Sequence, residues 1–431
     1  MASPIQHVVL IVKENHGFDT YFGRFPGADG DQNLADALNP PGVDPSHTHE
    51  AWLRRATGAV SEQYGETAIP VYWQWARQYT LCDAYFTDIA GPSTPNHLML
   101  IAGDSPWIDN PPGNYRAGPQ QRIDVPSLPG LLEQASLSWG NYGGYAFEFI
   151  KALAGKQKPS GQFVTDARAG TLPNVSWVYA DHAHSEHPPD TAADRQAGVG
   201  NVTAGEAWTA AQVEAIVAGG LWEKTAIFVT WDDWGGWTDH VDPPQVETWR
   251  DGSQFRYGNR VPCIVLGAYA RPAYISHQLH SHVSLIRYCE TIFNLPNLNA
   301  RTQAASDLSD CFDYTTVQPP PTATPTPAPP TPTPTPTPAP PTPTPAPPTP
   351  TPAPPTPAPP TPSPAPPTPS PTTLSAIRDA AARARDRVTS ASSASTDGAV
   401  LEELRWALED INRITTLAGG QADARPNRSS R

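Results

Sequence analysis

The chain has 431 residues, of which 38% are hydrophobic, and carries a formal net charge of −14. Thirty of its 54 prolines lie between Pro319 and Pro371, which excludes that segment from any packed core. Residues 1–317 hold 19 Lys and Arg against 34 Asp and Glu, a net charge of −15, which argues against non-specific binding to nucleic acid or to anionic membranes.

The first predicted element is the apolar stretch Val8–Val12, which follows Met1–Pro4 directly and stops at Lys13. It has neither a basic region before it nor a small-residue cleavage site, so the pattern does not predict a signal peptide in this chain. No apolar run approaches the ~20 residues that are needed to cross a bilayer. The sequence therefore predicts a soluble protein without a transmembrane segment.

Strand and helix patterns alternate along the first 300 residues. Continuous apolar, β-branched runs are typical of buried parallel strands and occur, together with the weaker Ser138–Tyr142, at His7–Val12, Ser176–Tyr179, Ala226–Trp231 and Val261–Leu266. Apolar residues recur with helical spacing at Val71–Tyr79, Ser127–Ala135, Ala207–Ala218 and Val283–Phe293. The alternation predicts an α/β fold with a doubly wound, mostly parallel sheet and helices on both faces.

The composition divides the chain into three parts: a catalytic domain at 1–317, a Pro/Thr/Ala-rich linker at 318–372 and a tail at 373–431. The linker is typical of a polyproline II stalk, which at ~3.1 Å per residue spans roughly 160 Å when extended. Helical spacing at Leu374–Val388 and Val400–Leu417 predicts a small helical hairpin with a disordered end. A hairpin this small is marginal alone, so we expect it to dock, to oligomerise or to be partly ordered.

The four cysteines, Cys82, Cys263, Cys289 and Cys311, show no C-x-x-C spacing. This spacing excludes a zinc ribbon and a thioredoxin-like pair. A disulfide between Cys289 and Cys311 would close the end of the domain, and buried free thiols are the alternative.

Paired polar residues follow two of the predicted strands: Glu14-Asn15 after the first strand, and Asp232-Asp233 after Ala226–Trp231. In open α/β sheets, ligands bind beyond the carboxyl ends of the strands. Each pair alone could make a turn. Together, at one end of one sheet, they predict a site for a divalent metal, with Ca, Mg, Mn and Zn all open, because adjacent carboxylates repel unless a cation lies beside them.

A second candidate site is the run of hydroxyl residues Ser93-Thr94 before Pro95. It can be a plain helix start, with Thr94 as the N-cap and Pro95 as the first helical residue. A helix start is also a place where backbone N–H groups stabilise phosphate and where a hydroxyl beside a metal becomes a nucleophile.

Histidines cluster at 182–187 and at 277–282. Most of them are expected to be structural. Imidazole nevertheless both donates hydrogen bonds to anionic oxygens and transfers protons near neutral pH, so these histidines are also candidates for catalytic residues.

Five motifs, in order across residues 5–297, resemble one family. Residues 14–23, ENHGFDTYFG, resemble the E-N-x-S-F-D-x-Y-F-G signature of the bacterial phosphoesterase family that contains phosphatidylcholine-type phospholipase C and AcpA-like acid phosphatases. Residues 91–96 resemble its G-P-[ST]-x-P-N segment, 186–189 its E-H-P-P segment, 230–244 its T-x-D-[DE]-x-G-G-x-x-D-H-V-x-P-P block, and 282–287 the part of its D-H-x-S-[IVL]-[IL]-[RK] helix start that follows the Asp. The resemblance covers neither the stalk nor the tail.

The resemblance implies an alkaline-phosphatase-like fold and a metal-dependent serine mechanism. It implies that Ser93 is the nucleophile, with Thr94 as the spare candidate, and that Glu14, Asn15, Asp232 and Asp233 bind the divalent metal. It further implies that His187 and His282 contact the phosphoryl group or protonate the leaving group, and that Asn96 and His240 help to bind the substrate.

Three positions depart from the family pattern. Gly17 stands where the family has Ser or Thr, and Ser281 replaces the Asp before His282, which leaves the orientation of that imidazole open. Asp233, in place of Glu, is nearer to the acid phosphatase branch.

The expected activity is hydrolysis of phosphoric esters, either a phospholipid head group or a small soluble ester. The rival from another class is a surface-displayed binding protein with an inactive hydrolase-like domain. A sulfatase is disfavoured because no C-x-P-x-R or S-x-P-x-R element is present. The Pro-Thr stalk is typical of display outside a cell, so we predict an extracellular or cell-surface location, with a tail that docks or binds a surface partner.

Overall fold

The computed structural model describes residues 3–112 and 117–322. The predicted helical tail and the linker beyond residue 322 lie outside the described residues and stay predictions. Within the described residues, no helix is both long and apolar enough to cross a membrane.

Strands and helices alternate along the described chain. The strands are β1 His7–Lys13, β2 Ala35–Asp36, β3 Glu62–Gln63, β4 Thr80–Cys82, β5 Tyr85–Phe86, β6 Trp139–Tyr142, β7 Gln157–Lys158, β8 Val175–Tyr179, β9 Thr225–Trp231, β10 Glu247–Thr248, β11 Gln254–Arg256, β12 Cys263–Leu266, β13 Tyr274–Ser276 and β14 His280–Ser281. The helices are α1 Phe18–Phe22, α2 His49–Leu53, α3 Arg55–Gly58, α4 Pro70–Gln78, α5 Ser93–Ala102, α6 Leu128–Gln134, α7 Gln162–Arg168, α8 Ala192–Gln196, α9 Val202–Ala218, α10 His282–Ile292 and α11 Ala300–Ala304. Short 3₁₀ turns lie at Pro119–Gln121, Tyr145–Phe149, Trp222–Lys224 and Ser309–Cys311.

One large sheet organises the domain, with strand order β13-β4-β12-β9-β1-β8-β6-β7. Strand β12 runs antiparallel to both of its neighbours, and the other neighbouring strands pair in parallel. The predicted α/β fold with a mostly parallel sheet is therefore confirmed.

The central strands are covered on both faces. Strand β9 is buried at every residue, and β1 is buried at every residue after His7. Burying a Val, Leu or Ile side chain contributes about 1.5–3 kcal/mol, so the apolar runs Val8–Val12 and Ala226–Trp231 make the sheet the centre of the core. All five predicted strands and all four predicted helices are present, and their observed ends differ from the predicted ends by at most five residues.

Helix α5 begins earlier than the plain helix-start pattern predicts. Its N-cap is Pro92 and its first residue is Ser93, so Thr94 is not the N-cap and Pro95 lies inside the first turn. Proline is tolerated there because the first backbone N–H groups of a helix have no intrahelical acceptor. Ser93 is therefore the first residue of the helix.

The cysteine pairing also differs from the disulfide hypothesis. All four cysteines are buried free thiols, and Cys289 is not bonded to Cys311. Instead, Cys311 Sγ lies 3.7 Å from Cys82 Sγ. The alternative of buried thiols is the correct one in this structure.

Candidate active site

Strand register brings the two acidic pairs together. Lys13, the last residue of β1, pairs with Trp231, the last residue of β9, so the residues that follow each strand emerge side by side. Asp232 N donates to Lys13 O at 2.9 Å, and Asp232 Oδ1 accepts from the backbone N–H of Asn15 at 2.9 Å. The predicted meeting of Glu14-Asn15 with Asp232-Asp233 at one sheet edge is therefore observed.

A tight backbone crossing fixes this corner. Asn15 has a φ of 60°, and Gly235, with a φ of 58°, packs against it so closely that a Cβ at Gly235 would lie 1.9 Å from Asn15 O. Real Cβ atoms do not approach a carbonyl oxygen at that distance, and glycine also accepts the left-handed backbone. The glycine after the acidic pair is thus required by packing against Asn15.

Ser93 points into the corner formed by the two pairs. Its Oγ donates to Asp233 Oδ2 at 2.8 Å and lies 3.3 Å from Asn15 Oδ1, and the side chain is almost fully buried. Thr94 faces elsewhere: its Oγ1 lies 3.1 Å from Tyr145 Oη. Of the two candidate hydroxyls, Ser93 is the one that contacts the acidic residues.

His97 is a member of the cluster that sequence reasoning missed. Its Nε2 lies 3.3 Å from Asp232 Oδ2 and 3.5 Å from Glu14 Oε1. It follows Ser93 by four residues in α5, so both side chains lie on the same helix face. That i, i+4 spacing was the available signal.

The Glu14, His97 and Asp232 donors have the properties of a metal site. One ligand atom from each lies within 4.8 Å of the others. Among the described residues, His97 Nε2 and Asp232 Oδ2 are buried and make no hydrogen bond with suitable geometry. The two atoms face each other at 3.3 Å as an ion pair, and Glu14 Oε1 lies 3.5 Å from the same nitrogen, so oxygen and imidazole donors of the kind that bind a divalent cation converge here.

Burial and mutual repulsion disturb the carboxylates. Burial and the adjacent Asp232 raise the pKa of Glu14, and the same two causes raise the pKa of Asp233 to about 7. Burial alone would raise the pKa of Asp232, but contact with His97 lowers it. Burial opposes the charged form of His97, yet Asp232 and Glu14 raise its pKa to about 10. The cluster therefore holds protons that a bound cation would displace.

His47 also reaches the cluster and was not identified from the sequence. Its Nε2 lies 3.3 Å from Asn15 Nδ2, and its Nδ1 lies 2.8 Å from Pro45 O. Trp234 Nε1 donates to the His47 carbonyl at 3.0 Å and fixes the loop. The histidine lies in an irregular loop, where no periodic pattern indicates which way a side chain points.

His187 has one ring nitrogen anchored. Its Nδ1 lies 2.7 Å from Pro188 O, so that nitrogen carries the proton and Nε2 is left for other contacts. Burial lowers its pKa, but Asp44, Asp190 and Glu14 outweigh burial and raise the pKa of His187 to about 9. A cationic imidazole near Glu14 agrees with the predicted role of His187.

Both ring nitrogens of His282 have partners within the protein. Its Nε2 lies 2.7 Å from the backbone carbonyl of Asp232, its Nδ1 lies 3.1 Å from Tyr85 Oη, and its side chain is fully buried. Burial lowers its pKa, which favours the neutral ring. With both nitrogens engaged, His282 holds the backbone of Asp232, and its predicted role at the phosphoryl group or the leaving group stays a prediction. The Tyr85 hydroxyl orients the ring in place of the family Asp that Ser281 replaces.

The side chain of Asn96 is fully used inside the protein. Its Oδ1 accepts from Ile89 N at 2.8 Å, and its Nδ2 lies 3.1–3.2 Å from the carbonyls of Ile89, Gly91 and Pro92. The predicted role of Asn96 in substrate binding stays a prediction, and these contacts favour an indirect role. Asn96 instead shapes the loop that presents Ser93.

His240 lies in a different cluster from Ser93. Its Nδ1 lies 2.7 Å from Asp19 Oδ2 and its Nε2 lies 3.1 Å from Asp29 Oδ1. Arg260 links the same group through Asp19 and Asp239. Because carboxylates occupy both ring nitrogens, the predicted role of His240 in substrate binding gains no support from the structure.

The geometry can be compared with known proteins. A family model described as "Phosphoesterase family" matches residues 46–296, more than half of the chain. The chain belongs to this family. The family resemblance predicted from the five motifs is thus confirmed, and the four later motifs lie within the matched residues.

Curated relatives extend the match. Phospholipase C B of Mycobacterium tuberculosis is 25% identical, with 72% of this chain and 78% of that protein covered. A non-hemolytic phospholipase C of Burkholderia pseudomallei is 25% identical over 72% of this chain and 59% of that protein. Non-specific phospholipase C6 of Arabidopsis thaliana is 23% identical over 73% of both chains. This member of the Phosphoesterase family is a phosphoric ester hydrolase.

Solved structures match more distantly. A protein of the alkaline phosphatase superfamily from Vibrio parahaemolyticus has a TM-score of 0.43 and 10% identity, with 72% of this chain and 71% of that chain covered. A sulfatase from Bacteroides thetaiotaomicron has a TM-score of 0.40 and 10% identity, with 72% of this chain and 75% of that chain covered.

Proposed function

We propose that the enzyme hydrolyses phosphoric esters with Ser93 as nucleophile, in a site that requires a divalent metal. The observation that carries the proposal is the position of Ser93 Oγ, 2.8 Å from Asp233 Oδ2 and beside the Glu14, His97 and Asp232 donors. A buried hydroxyl paired with a carboxylate at a helix start has the geometry of an activated nucleophile.

The metal would be held by Glu14, His97 and Asp232, with Asn15 and Asp233 as further ligands. When bound, the ion supplies Lewis acidity to the phosphoryl oxygen and favours the deprotonated hydroxyl. This set adds His97 to the four metal ligands that the sequence predicts. The convergence of His97 Nε2 with carboxylate oxygens of Asp232 and Glu14 supports the addition.

Proton transfer follows from the hydrogen bonds. As Ser93 Oγ forms its bond to phosphorus, its proton passes to Asp233 Oδ2, the acceptor already in contact with it. The bond from phosphorus to the leaving oxygen breaks, and His187 Nε2 gives that oxygen a proton. Water then cleaves the phosphoserine. His187 suits this role because its other nitrogen is anchored on Pro188 O and its pKa is raised.

The substrate class is a phosphoric diester of the phospholipid head-group type. The relatives named above are phospholipases C, which favours this class over a small soluble monoester. Acid phosphatase activity is the second candidate, and Asp233 at the second acidic position favours it. An extracellular or cell-surface location agrees with either class and stays a prediction.

Hydrolysis of three chromogenic esters tests the proposal: p-nitrophenyl phosphate, bis-p-nitrophenyl phosphate and p-nitrophenyl phosphorylcholine. We expect turnover with added divalent metal, a preference for p-nitrophenyl phosphorylcholine, and a loss of at least about 10³-fold in Ser93→Ala. Thr94→Ala is the matched control, because its hydroxyl faces Tyr145, and it should retain most activity. Equal losses in both variants would contradict the assignment of Ser93.

A further inference from the structure

A second group of metal-type ligands is distinct from the cluster beside Ser93. It consists of Cys82, the last residue of β4, His280, the first residue of β14, and Cys311, in the 3₁₀ turn Ser309–Cys311. One ligand atom from each lies within 4.8 Å of the others, and the two sulfurs are 3.7 Å apart. All three side chains are fully buried.

The imidazole of His280 is held in one orientation by its Nε2. That nitrogen lies 3.0 Å from Ser276 Oγ and 3.3 Å from Asp310 Oδ1. Histidines that bind a metal commonly donate their other ring N–H to a carboxylate or hydroxyl in this way, which fixes the tautomer. With Nε2 engaged, Nδ1 is the ring nitrogen that remains for a metal.

His280 Nδ1 needs a partner. Among the described residues it is buried and makes no hydrogen bond. A buried nitrogen without a partner destabilises the fold unless something binds it. The thiols of Cys82 and Cys311 are the neighbouring soft ligands, so the three side chains together form an incomplete coordination shell.

We propose that Cys82, His280 and Cys311 bind a zinc-class divalent ion that is separate from the catalytic metal. Two thiolates and one imidazole suit zinc rather than calcium or magnesium, which prefer oxygen. Cys263 lies directly opposite Cys82 on β12, so its side chain emerges on the same face of the sheet, although it is not one of the three clustered ligands.

The ligands are far apart in sequence, which hides the site from spacing rules. Cys82 and Cys311 are separated by 229 residues. The ion would tie the end of the described domain to the edge of the main sheet, where Thr80 Oγ1 and Arg271 N already contact Cys311 O. It would also hold the strand that leads to His282. The role is structural and does not depend on the proposed activity.

Cobalt spectroscopy on the full chain tests the site. Protein produced in cobalt-supplemented medium should show thiolate-to-cobalt charge-transfer absorption in the near ultraviolet. The catalytic cluster has only oxygen and nitrogen ligands, so it does not contribute such a band. Cys311→Ser should abolish the band, and Cys289→Ser, which removes another fully buried thiol outside the cluster, should preserve it.

Thiol titration of the wild-type protein in denaturant with a chelator decides the result even if a variant fails to fold. Four titratable thiols together with the charge-transfer band support the proposal. Two titratable thiols would show a disulfide in place of the metal and would overturn it. Four thiols without the band, or a band that survives Cys311→Ser, would overturn it as well.

Discussion

The buried pair Lys13–Glu186 beneath the active site permits a sharp test of how the site is supported. Lys13 Nζ lies 3.2 Å from Glu186 Oε1, and both side chains are fully buried. Glu186 also accepts from Tyr21 Oη at 2.5 Å and from Trp231 Nε1 at 3.1 Å. It has a φ of 72° and directly precedes His187, so the pair holds the backbone that presents that histidine.

The perturbation is Lys13→Met, which keeps the length of the side chain and removes its charge. Removing one partner of a buried ion pair costs about 3–5 kcal/mol of unfolding free energy, because the other charge stays buried and uncompensated. The change also removes the donor to His184 O and Gly205 O. We therefore expect a loss at the upper end of that range.

A double variant isolates the charge. Burial lowers the pKa of Lys13 more than Glu186 raises it, so the ammonium is less stable here than in water. Lys13→Met with Glu186→Gln leaves no buried charge and should be more stable than Lys13→Met alone. If the cost came from packing, the double variant would be the less stable of the two.

Urea unfolding followed by tryptophan fluorescence measures the difference, provided that the transition is two-state. The control is Lys156→Met, which removes an exposed lysine paired with Glu133, and should cost about 0–1 kcal/mol. The reasoning fails if Lys13→Met costs no more than Lys156→Met.

Four further outcomes follow from the site. His97→Ala should weaken metal affinity at least about tenfold by calorimetry, and unchanged affinity would remove His97 from the ligand set. Metal affinity should fall as pH drops below about 7, because burial and its acidic neighbour raise the pKa of Asp233 to about 7 and protons then compete with the ion; a pH-independent affinity would contradict this. Gly235→Ala should destabilise the fold far more than Gly65→Ala in thermal melts, since a Cβ at Gly65 meets nothing within 4 Å. His240→Gln should leave the turnover number nearly unchanged. Burial lowers the pKa of His240, but carboxylate contacts outweigh burial and raise the pKa above 6.5. The stability that protonated His240 contributes to the fold is therefore complete below pH 6.5 and is lost as pH rises through the raised pKa. Thermal melts at several pH values should show this loss in the wild-type protein and not in the variant.

The sequence predicted the α/β architecture and the part of the site formed by the polar pairs that follow two strands. Continuous apolar runs identify strands such as Val8–Val12 without reference to partners, and polar pairs directly after two strands meet when those strands are neighbours. The register of Lys13 with Trp231, which makes Glu14 and Asp232 adjacent, depends on the assembled sheet. No local pattern encodes it.

Other features of the site could not be predicted from the sequence, because they depend on which polar atoms already form hydrogen bonds within the folded protein. His282 lies at a helix start, as its motif indicates, but its two nitrogens bind Asp232 O and Tyr85 Oη. The Asn96 side-chain amide likewise forms its hydrogen bonds with backbone groups. His97 shows the reverse: its sequence context is an ordinary apolar helix, yet its Nε2 faces two carboxylates.

The charge of the site explains how an acidic protein can act on an anionic substrate. The chain carries a net charge of −14, and three carboxylates converge at the catalytic corner. Each of them is buried or nearly so, and burial opposes its ionised form. His97 and His187 counter that charge, and a divalent ion would add to them. The long-range field of the protein therefore repels phosphate, while a divalent ion in the corner would supply the local positive charge that attracts it, because surface charges are screened beyond about 8 Å.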